Sequence, residues 1–218
     1  MMKTITLIHA VDIAIEPIKK AFEELWPEAQ LVHLWDQSLS IERAKSEHIT
    51  PALYRRIADL TEMAQQTGTD AIMFTCSAFG EAIEQVAFQA PIPVLKPNEA
   101  MFKKALSMKT PITMIGSFSP AMEGMECEYY LAAISQRVVA ELTTVCVPES
   151  RIALSHGDVD THNQLVVEAA KALPNESAYM LAHFSTSYAK TELEKATGKP
   201  VLSSPHCAVL HLKCLLEG

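Results

Sequence analysis

The residues best suited to chemistry are one cysteine and one histidine, each placed just after an apolar segment that predicts a buried strand. Cys76 follows the segment 70–75 and precedes a helical pattern that begins at about Ala78, whereas His183 follows the segment 178–182. The backbone N–H groups of a helix N-terminus stabilise a thiolate, which makes Cys76 a candidate base or nucleophile. An imidazole at a strand end can take or give a proton near neutral pH. The structural alternatives are a small buried thiol and a hydrogen-bonded histidine.

Other side chains at predicted strand ends are candidates for binding a substrate. Hydroxyls and backbone N–H groups next to Cys76 suit a carboxylate, and aromatic rings would shape the apolar part of a pocket. For each polar candidate, a role as a helix cap or turn residue is an equally good interpretation. The candidates for substrate binding are His9, Ser38, Thr75, Ser77, Ala78, Ser117, Phe118, Phe184 and Ser185.

The elements that must position these residues are short apolar segments alternating with longer amphipathic ones. This alternation predicts an α/β fold of parallel strands covered by helices. The predicted strands are 4–9, 31–35, 70–75, 92–95, 112–117, 142–147, 178–182 and 201–203, and two of the predicted helices are 52–66 and 163–173.

The sequence also indicates an internal duplication. A shift of 107 residues aligns Ile5 with Ile112, Met73 with Met180 and Pro93 with Pro200, without a gap. We therefore predict two pseudo-symmetric halves, 1–109 and 110–218, with the C-terminal helix able to pack back on the first half. The same shift pairs Cys76 with His183. Ligands bind at the carboxyl ends of parallel strands, so we expect the active site between the halves, with these two residues on opposite sides of it.

The composition and net charge of the chain disfavour several classes of binding partner. The chain has 218 residues and a formal net charge of -8, which disfavours nucleic acid and membrane surfaces. The five cysteines are widely spaced and include no CxxC pair, so reduced thiols are expected. Gly-rich phosphate loops and apolar segments long enough to span a membrane are both absent from the sequence. We expect a cytoplasmic protein that needs no cofactor.

A cluster of histidine and aspartate residues is an alternative candidate site, which would bind a metal ion. His156, Asp158, Asp160 and His162 lie within seven residues and could coordinate a metal ion. The cluster directly precedes an amphipathic helical pattern, where Asp and Thr serve as N-terminal caps. We therefore favour capping and predict no metal site.

The segment Phe-Thr-Cys-Ser-Ala at 74–78 resembles the first cysteine motif of the aspartate/glutamate racemase superfamily. This superfamily includes glutamate, aspartate and hydantoin racemases, maleate isomerase and arylmalonate decarboxylase. The chain length, the duplicated halves and the lack of a nucleotide motif agree with the resemblance along the whole chain. It implies the fold, the absence of a cofactor, a small carboxylate substrate and a homodimer or higher homo-oligomer.

The chain departs from this family at the second cysteine. Racemase-type members carry a second thiol in a Leu-Gly/Ala-Cys-Thr context, whereas this chain reads Leu-Ala-His-Phe at 181–184. We predict a cofactor-independent isomerase in which the Cys76 thiolate abstracts a proton and His183 serves the opposite face. The alternatives are a single-cysteine decarboxylase or lyase of a malonate-like acid, addition of the thiolate to an activated double bond, and a non-catalytic binding protein.

Overall fold

The computed structural model describes residues 2–173 and 177–218, whose strands form two parallel four-stranded sheets. The strand orders are β2-β1-β3-β4 and β6-β5-β7-β8, so the two sheets have the same topology. This confirms the predicted α/β class with two parallel-sheet halves. The first sheet consists of β1 (Thr4–His9), β2 (Gln30–Trp35), β3 (Ala71–Phe74) and β4 (Val94–Leu95), and the second of β5 (Ile112–Gly116), β6 (Leu142–Cys146), β7 (Ala178–Leu181) and β8 (Val201–Ser203).

Helices cover both sheets, as a parallel sheet requires. Local sequence sets several of their ends. Thr50 caps α3 by accepting a hydrogen bond from the Leu53 N–H, with Pro51 in the first turn, and Gly198 ends α9 in the left-handed conformation. The helices are α1 (Ile15–Leu25), α2 (Ser38–Arg43), α3 (Pro51–Gln66), α4 (Gly80–Gln89), α5 (Glu99–Ser107), α6 (Ser119–Gln136), α7 (Pro148–Ser155), α8 (Val159–Lys171), α9 (Lys190–Thr197) and α10 (Ser204–Glu217).

The register of the central strands repeats between the two sheets. In the first sheet the Thr75 N–H donates to the Ile8 carbonyl at 3.0 Å, and in the second the Ala182 N–H donates to the Ile115 carbonyl at 3.0 Å. These pairs are related by the shift of 107 residues. The register therefore brings Cys76 beside the end of β1 and His183 beside the end of β5, at matching places in the two sheets.

The two sheets share a hydrophobic core. One cluster of buried side chains contains Ile72 and Phe74 of the first sheet together with Met114 and Met180 of the second. Ser204 at the start of α10 donates to the Pro97 carbonyl at 2.6 Å. The rest of α10 packs against α1 and α5. Burial on both sides of these contacts holds the carboxyl ends of the two sheets at a fixed separation.

Most elements differ from their predicted bounds by one or more residues, and two of the differences have a clear local cause. Strand β4 is two residues long, because Pro91 and Pro93 remove backbone donors ahead of it. Helix α8 begins at Val159, four residues before the predicted start, since the Asp158 carboxylate accepts the Thr161 N–H and caps it. Among the described residues no helix is both long and apolar enough to cross a lipid bilayer.

Candidate active site

Cys76 stands at the junction of β3 and the helical segment that follows. Its backbone is extended, and a 3₁₀ helix at Ser77–Phe79 leads from it into α4. The side chain is partly buried, and burial raises the pKa of the thiol. The Ala78 N–H and the charges of Arg151 and Arg43 act in the opposite direction but do not reverse the shift. The backbone N–H of the helical segment thus favours the thiolate, as expected from the sequence, but burial outweighs it.

His183 occupies the matching position after β7, and its ring is held by the second sheet. The Ser117 backbone N–H donates to His183 Nδ1 at 3.0 Å. Burial, and secondarily the charge of Arg151, lowers the pKa of His183 to about 4. The imidazole is therefore neutral at pH 7, and its proton resides on Nε2.

Gly116, the last residue of β5, leaves the space that the imidazole fills. A Cβ atom added at Gly116 would lie 2.9 Å from His183 Cε1 and 3.0 Å from Nδ1, and it would come even nearer to Met122 Sδ. Such distances are shorter than real Cβ contacts, so any larger residue would displace the ring or the Met122 side chain. The absence of a side chain at position 116 is thus part of how the fold places His183.

Cys76 and His183 line the same cavity. Its volume of about 40 Å³ is room for about three water molecules. The strand ends of both sheets contribute the residues around it. From the first sheet these are Thr75, Cys76, Ser77 and Ala78, and from the second Ser117, Phe118, Ala182, His183, Phe184 and Ser185.

Three polar atoms of this cavity lining are buried and have no hydrogen-bond partner within the described residues. They are Ser77 Oγ, Ser117 Oγ and His183 Nε2. A buried polar group without a partner costs about 1–3 kcal/mol, and such groups in a native fold require an explanation. All three can donate a hydrogen bond. A ligand with acceptor oxygens would supply the missing partners.

Arg151 is a functional candidate that the sequence analysis missed. It lies on α7, lines the cavity, and its guanidinium packs over the Phe118 ring at 4.5 Å from the ring centroid. Within the described part of the chain it forms neither an ion pair nor a hydrogen bond. Arg151 lies just beyond the carboxyl end of β6. The rule that ligands bind at the carboxyl ends of parallel strands selected the other candidates, and it could have identified Arg151 as well.

Arg43 also lines the cavity, but its guanidinium is already occupied. It donates to the carbonyls of Ala78 at 3.0 Å and of Glu47 and Pro120 at 3.3 Å, and also to that of Ser46. These acceptors lie on the α2–α3 connection, the segment after Cys76 and the start of α6. Arg43 therefore fixes the cavity wall, and its charge remains near Cys76.

Two predicted substrate-binding residues lie away from the cavity lining. His9 is fully buried, and its ring nitrogens contact Thr75 Oγ1 and His33 Nδ1, each at 2.9 Å. Ser38 donates its hydroxyl to Asp36 at 2.7 Å, at the start of α2. Both side chains are satisfied by the protein itself, which corrects the expectation that they face a substrate. The other predicted binding residues line the cavity.

The competing histidine cluster does not form a metal site in the described structure. Asp158 caps α8, and His162 is buried with Nδ1 at 2.9 Å from the Ser150 carbonyl. No group of three or more His, Cys, Asp or Glu side chains suited to a metal ion occurs among the described residues. The capping interpretation of Asp158 is confirmed.

The fold is similar to those of solved amino-acid racemases and of an arylmalonate decarboxylase. Glutamate racemase from Thermus thermophilus, in complex with β-chloro-D-alanine, has a TM-score of 0.75 and 17% identity over 99% of this chain and 80% of its own. Picrophilus torridus aspartate racemase gives 0.73 and 15% over 98% and 94% of the two chains. A variant of arylmalonate decarboxylase gives 0.64 and 16% over 99% and 94%. No protein-family model and no curated protein sequence matches the chain. The chain thus has the fold of these racemases.

Proposed function

We propose that the chain is a cofactor-independent enzyme of the isomerase type, which acts on a small molecule at a carbon next to a carboxylate. In this proposal Cys76 exchanges a proton with that carbon. The observation that carries it is the set of unpartnered donors around one thiol: Ser77, Ser117 and His183 in a cavity that also contains Arg151. Donors without acceptors favour an anionic ligand rich in oxygen.

The charges around the cavity support a carboxylate substrate. The chain as a whole is acidic, with a formal net charge of -8, yet the charged residues that line this cavity are Arg43 and Arg151. Since Arg43 is occupied by backbone carbonyls, Arg151 is the cation available to a ligand. A guanidinium can bind a carboxylate through two parallel hydrogen bonds, which would also orient the reacting carbon.

The donors can stabilise the charge that develops during proton abstraction. When the C–H bond breaks, its electron pair moves onto the adjacent carboxyl or carbonyl oxygen as an enolate. Hydrogen-bond donors already aimed at that oxygen lower the barrier, because they need no reorganisation during the reaction. The small cavity leaves room for few water molecules beside a ligand, which would strengthen each of these interactions.

The second candidate is a single-cysteine decarboxylase or lyase, and the state of Cys76 favours it. Since burial keeps Cys76 as a thiol in the cavity, the group is ready to donate a proton rather than to accept one. Loss of carbon dioxide would leave the electron pair on an enolate, and the thiol would then protonate carbon. The resemblance in fold to arylmalonate decarboxylase is compatible with this reaction.

Nuclear magnetic resonance in D₂O with a panel of amino acids, small dicarboxylates and arylmalonates tests both candidates. An isomerase exchanges the α-hydrogen of recovered substrate for deuterium, whereas a decarboxylase forms a product lighter by carbon dioxide. Cys76→Ala should abolish either reaction, and Cys214→Ala, at an exposed thiol on α10, should leave it unchanged. Binding of a panel compound without exchange or product would contradict catalysis and indicate a binding protein. The cytoplasmic location and the homo-oligomer remain predictions.

A further inference from the structure

The contacts of the His183 ring fix which nitrogen carries the proton. A backbone amide can only donate, so the Ser117 N–H at 3.0 Å requires a lone pair on Nδ1. A protonated Nδ1 would place two N–H groups against each other. In this arrangement the neutral ring must therefore hold its proton on Nε2.

The surrounding contacts favour the ring orientation in which Nδ1 faces the Ser117 N–H. The His183 carbonyl accepts the Thr186 hydroxyl at 2.7 Å, which ties the turn after β7 to the 3₁₀ helix at Ser185–Ala189. On the other side the ring packs on Gly116, where even a methyl group would be too close. A flip of the ring would break the hydrogen bond from the Ser117 N–H, and none of the described contacts would give Nδ1 another donor.

The Nε2 atom is buried and has no acceptor within the described residues. The other titratable or charged side chains that line the cavity are Cys76, Arg43 and Arg151. The nearby charge of Arg151 opposes an imidazolium. His183 thus presents one N–H donor, and it has no free lone pair with which to accept a proton.

We propose that His183 is a neutral hydrogen-bond donor to the substrate oxygen on which negative charge develops, and that it does not exchange a proton with the substrate carbon. This inference rests on the second candidate under the proposed function, the single-cysteine decarboxylase or lyase. The C–C bond to the departing carboxylate breaks, carbon dioxide leaves, and the electron pair moves to the enolate oxygen. The Nε2–H bond stays intact throughout. The S–H bond of Cys76 then breaks as its proton forms the new C–H bond, and the resulting thiolate regains a proton from water.

A stereochemical consequence separates this role from the one expected from sequence. If His183 returned protons on the face opposite Cys76, it would also have to abstract them there in the reverse reaction, which requires a lone pair on Nε2. The observed tautomer has none. A substrate should therefore exchange its hydrogen, or gain one after losing carbon dioxide, on a single face. The expectation that His183 takes and gives protons is incompatible with its bond to Ser117.

The tautomer can be measured on the unaltered protein. Long-range ¹H–¹⁵N correlation spectra of ¹⁵N-histidine-labelled protein, assigned with His183→Gln, distinguish the two neutral forms and the imidazolium. We expect the Nε2–H form of His183 without change from about pH 6 to 8, the range in which an ordinary histidine titrates. An Nδ1–H form, or an imidazolium in this range, would overturn the inference.

Two substitutions test the donor role with the panel compound that wild type converts. His183→Gln keeps an N–H donor but has no basic nitrogen, whereas His183→Ala removes the donor. We expect His183→Ala to lower kcat by about 10²–10³-fold, as for loss of one oxyanion donor, and His183→Gln to recover at least about 10-fold of it. Equal loss in both variants, with inversion as fast as exchange in wild type, would overturn the inference.

These outcomes are separable from failure of the proposed function. If no panel compound is converted while His183 shows the Nε2–H form, the proposed function fails and the tautomer assignment stands. If Cys76-dependent conversion is found but His183 titrates or carries Nδ1–H, only the donor role fails. Retained thermal unfolding midpoints of both variants exclude loss of fold as the cause of lost activity.

Discussion

The two halves of the molecule each place one imidazole near the end of the central strands, but from different strands and for different purposes. In the first half His9 at the end of β1 is fully buried, and both of its ring nitrogens have protein partners. In the second half the position matching His9 is Gly116, and the imidazole comes from His183 after β7. His183 keeps one nitrogen without a protein partner in the described structure.

The difference shows that two halves with the same topology can use a histidine differently, for packing in one half and to line the cavity in the other. His9 contacts Thr75 and lies away from the cavity lining, so the group that the first half offers there for proton transfer is the small thiol of Cys76. Gly116 vacates the same space in the second half, and His183 fills it while lining the cavity. The chemistry of the two sides thus depends on which strand end carries the bulky residue.

Among the substitutions considered, those at the two arginines that line the cavity should differ most in their effect on the free energy of unfolding. Arg43→Met would leave backbone carbonyls of Ala78, Glu47 and Pro120 without their donor, so we expect it to lower the free energy of unfolding by about 3 kcal/mol or more. Arg151→Met removes only a cation–π contact with Phe118 and should cost about 1 kcal/mol or less. Urea denaturation measures both values.

Activity should respond to these arginines in the opposite order. Arg151→Met should raise KM for a carboxylate substrate by at least about 10-fold, because a charge-assisted hydrogen bond is worth about 1.5–3 kcal/mol. Steady-state kinetics with the compound found in the panel measures this. If Arg151→Met destabilises the fold as much as Arg43→Met and leaves KM unchanged, the assignment of one structural and one ligand-binding arginine is wrong.

The glycine at position 116 provides the next test of the contrast between halves. Gly116→Ala should lower stability by about 1–3 kcal/mol through overpacking and should also reduce turnover, since it displaces the His183 ring or Met122. Gly124 in α6 is the matched control, because a Cβ atom there meets nothing within 4 Å. Gly124→Ala should stabilise the helix by up to about 1 kcal/mol. Thermal unfolding and turnover are measured for both variants. Equal effects of Gly116→Ala and Gly124→Ala would show that the close packing of His183 on Gly116 is unimportant.

The last prediction concerns acid stability. Burial lowers the pKa of both His9 and His183 to about 4, whereas the unfolded chain takes up these protons near pH 6.5. Because the unfolded state binds more protons in this window, stability should fall as the pH drops from 6.5 to 4, by up to about 1.4 kcal/mol per pH unit for each histidine. Above pH 6.5 these two groups should contribute no pH dependence.

His183→Gln should reduce this acid dependence, because it removes one of the two buried imidazoles. Urea titrations at a series of pH values measure the slope for the wild type and the variant. A wild-type slope that His183→Gln does not alter would mean that the His183 ring takes up its proton in the folded state.

The fold was accessible from sequence because its determinants are local and repeated. The shift of 107 residues that aligns Ile5 with Ile112 reflects equal spacing of buried strands, and the same spacing located Cys76 and His183. The alternation of strand and helix predicted β1 and β8 to the residue. Such patterns are visible in the sequence because burial on both sheet faces favours apolar residues along the central strands.

The parts that escaped prediction depend on contacts between distant segments. The rule that ligands bind at strand ends placed His9 at the site. Only its contacts with Thr75 and the neighbouring His33 show that both ring nitrogens already have protein partners. Arg43 and Arg151 lie on helices, where a charged residue is ordinarily solvated. The tautomer of His183 depends on Ser117, 66 residues away. No local pattern reports such a contact.

The central claim is that Cys76 reacts inside a cavity built for a carboxylate, and the competition between iodoacetate and iodoacetamide tests it most directly. The reagents have similar size and differ in charge, and peptide mass spectrometry measures the alkylation rate of each thiol. We predict that the ratio of iodoacetate to iodoacetamide rates is at least about 10-fold higher at Cys76 than at the exposed Cys214, and that Arg151→Met removes the difference. Equal ratios at the two thiols, or a difference that Arg151→Met leaves unchanged, would contradict it.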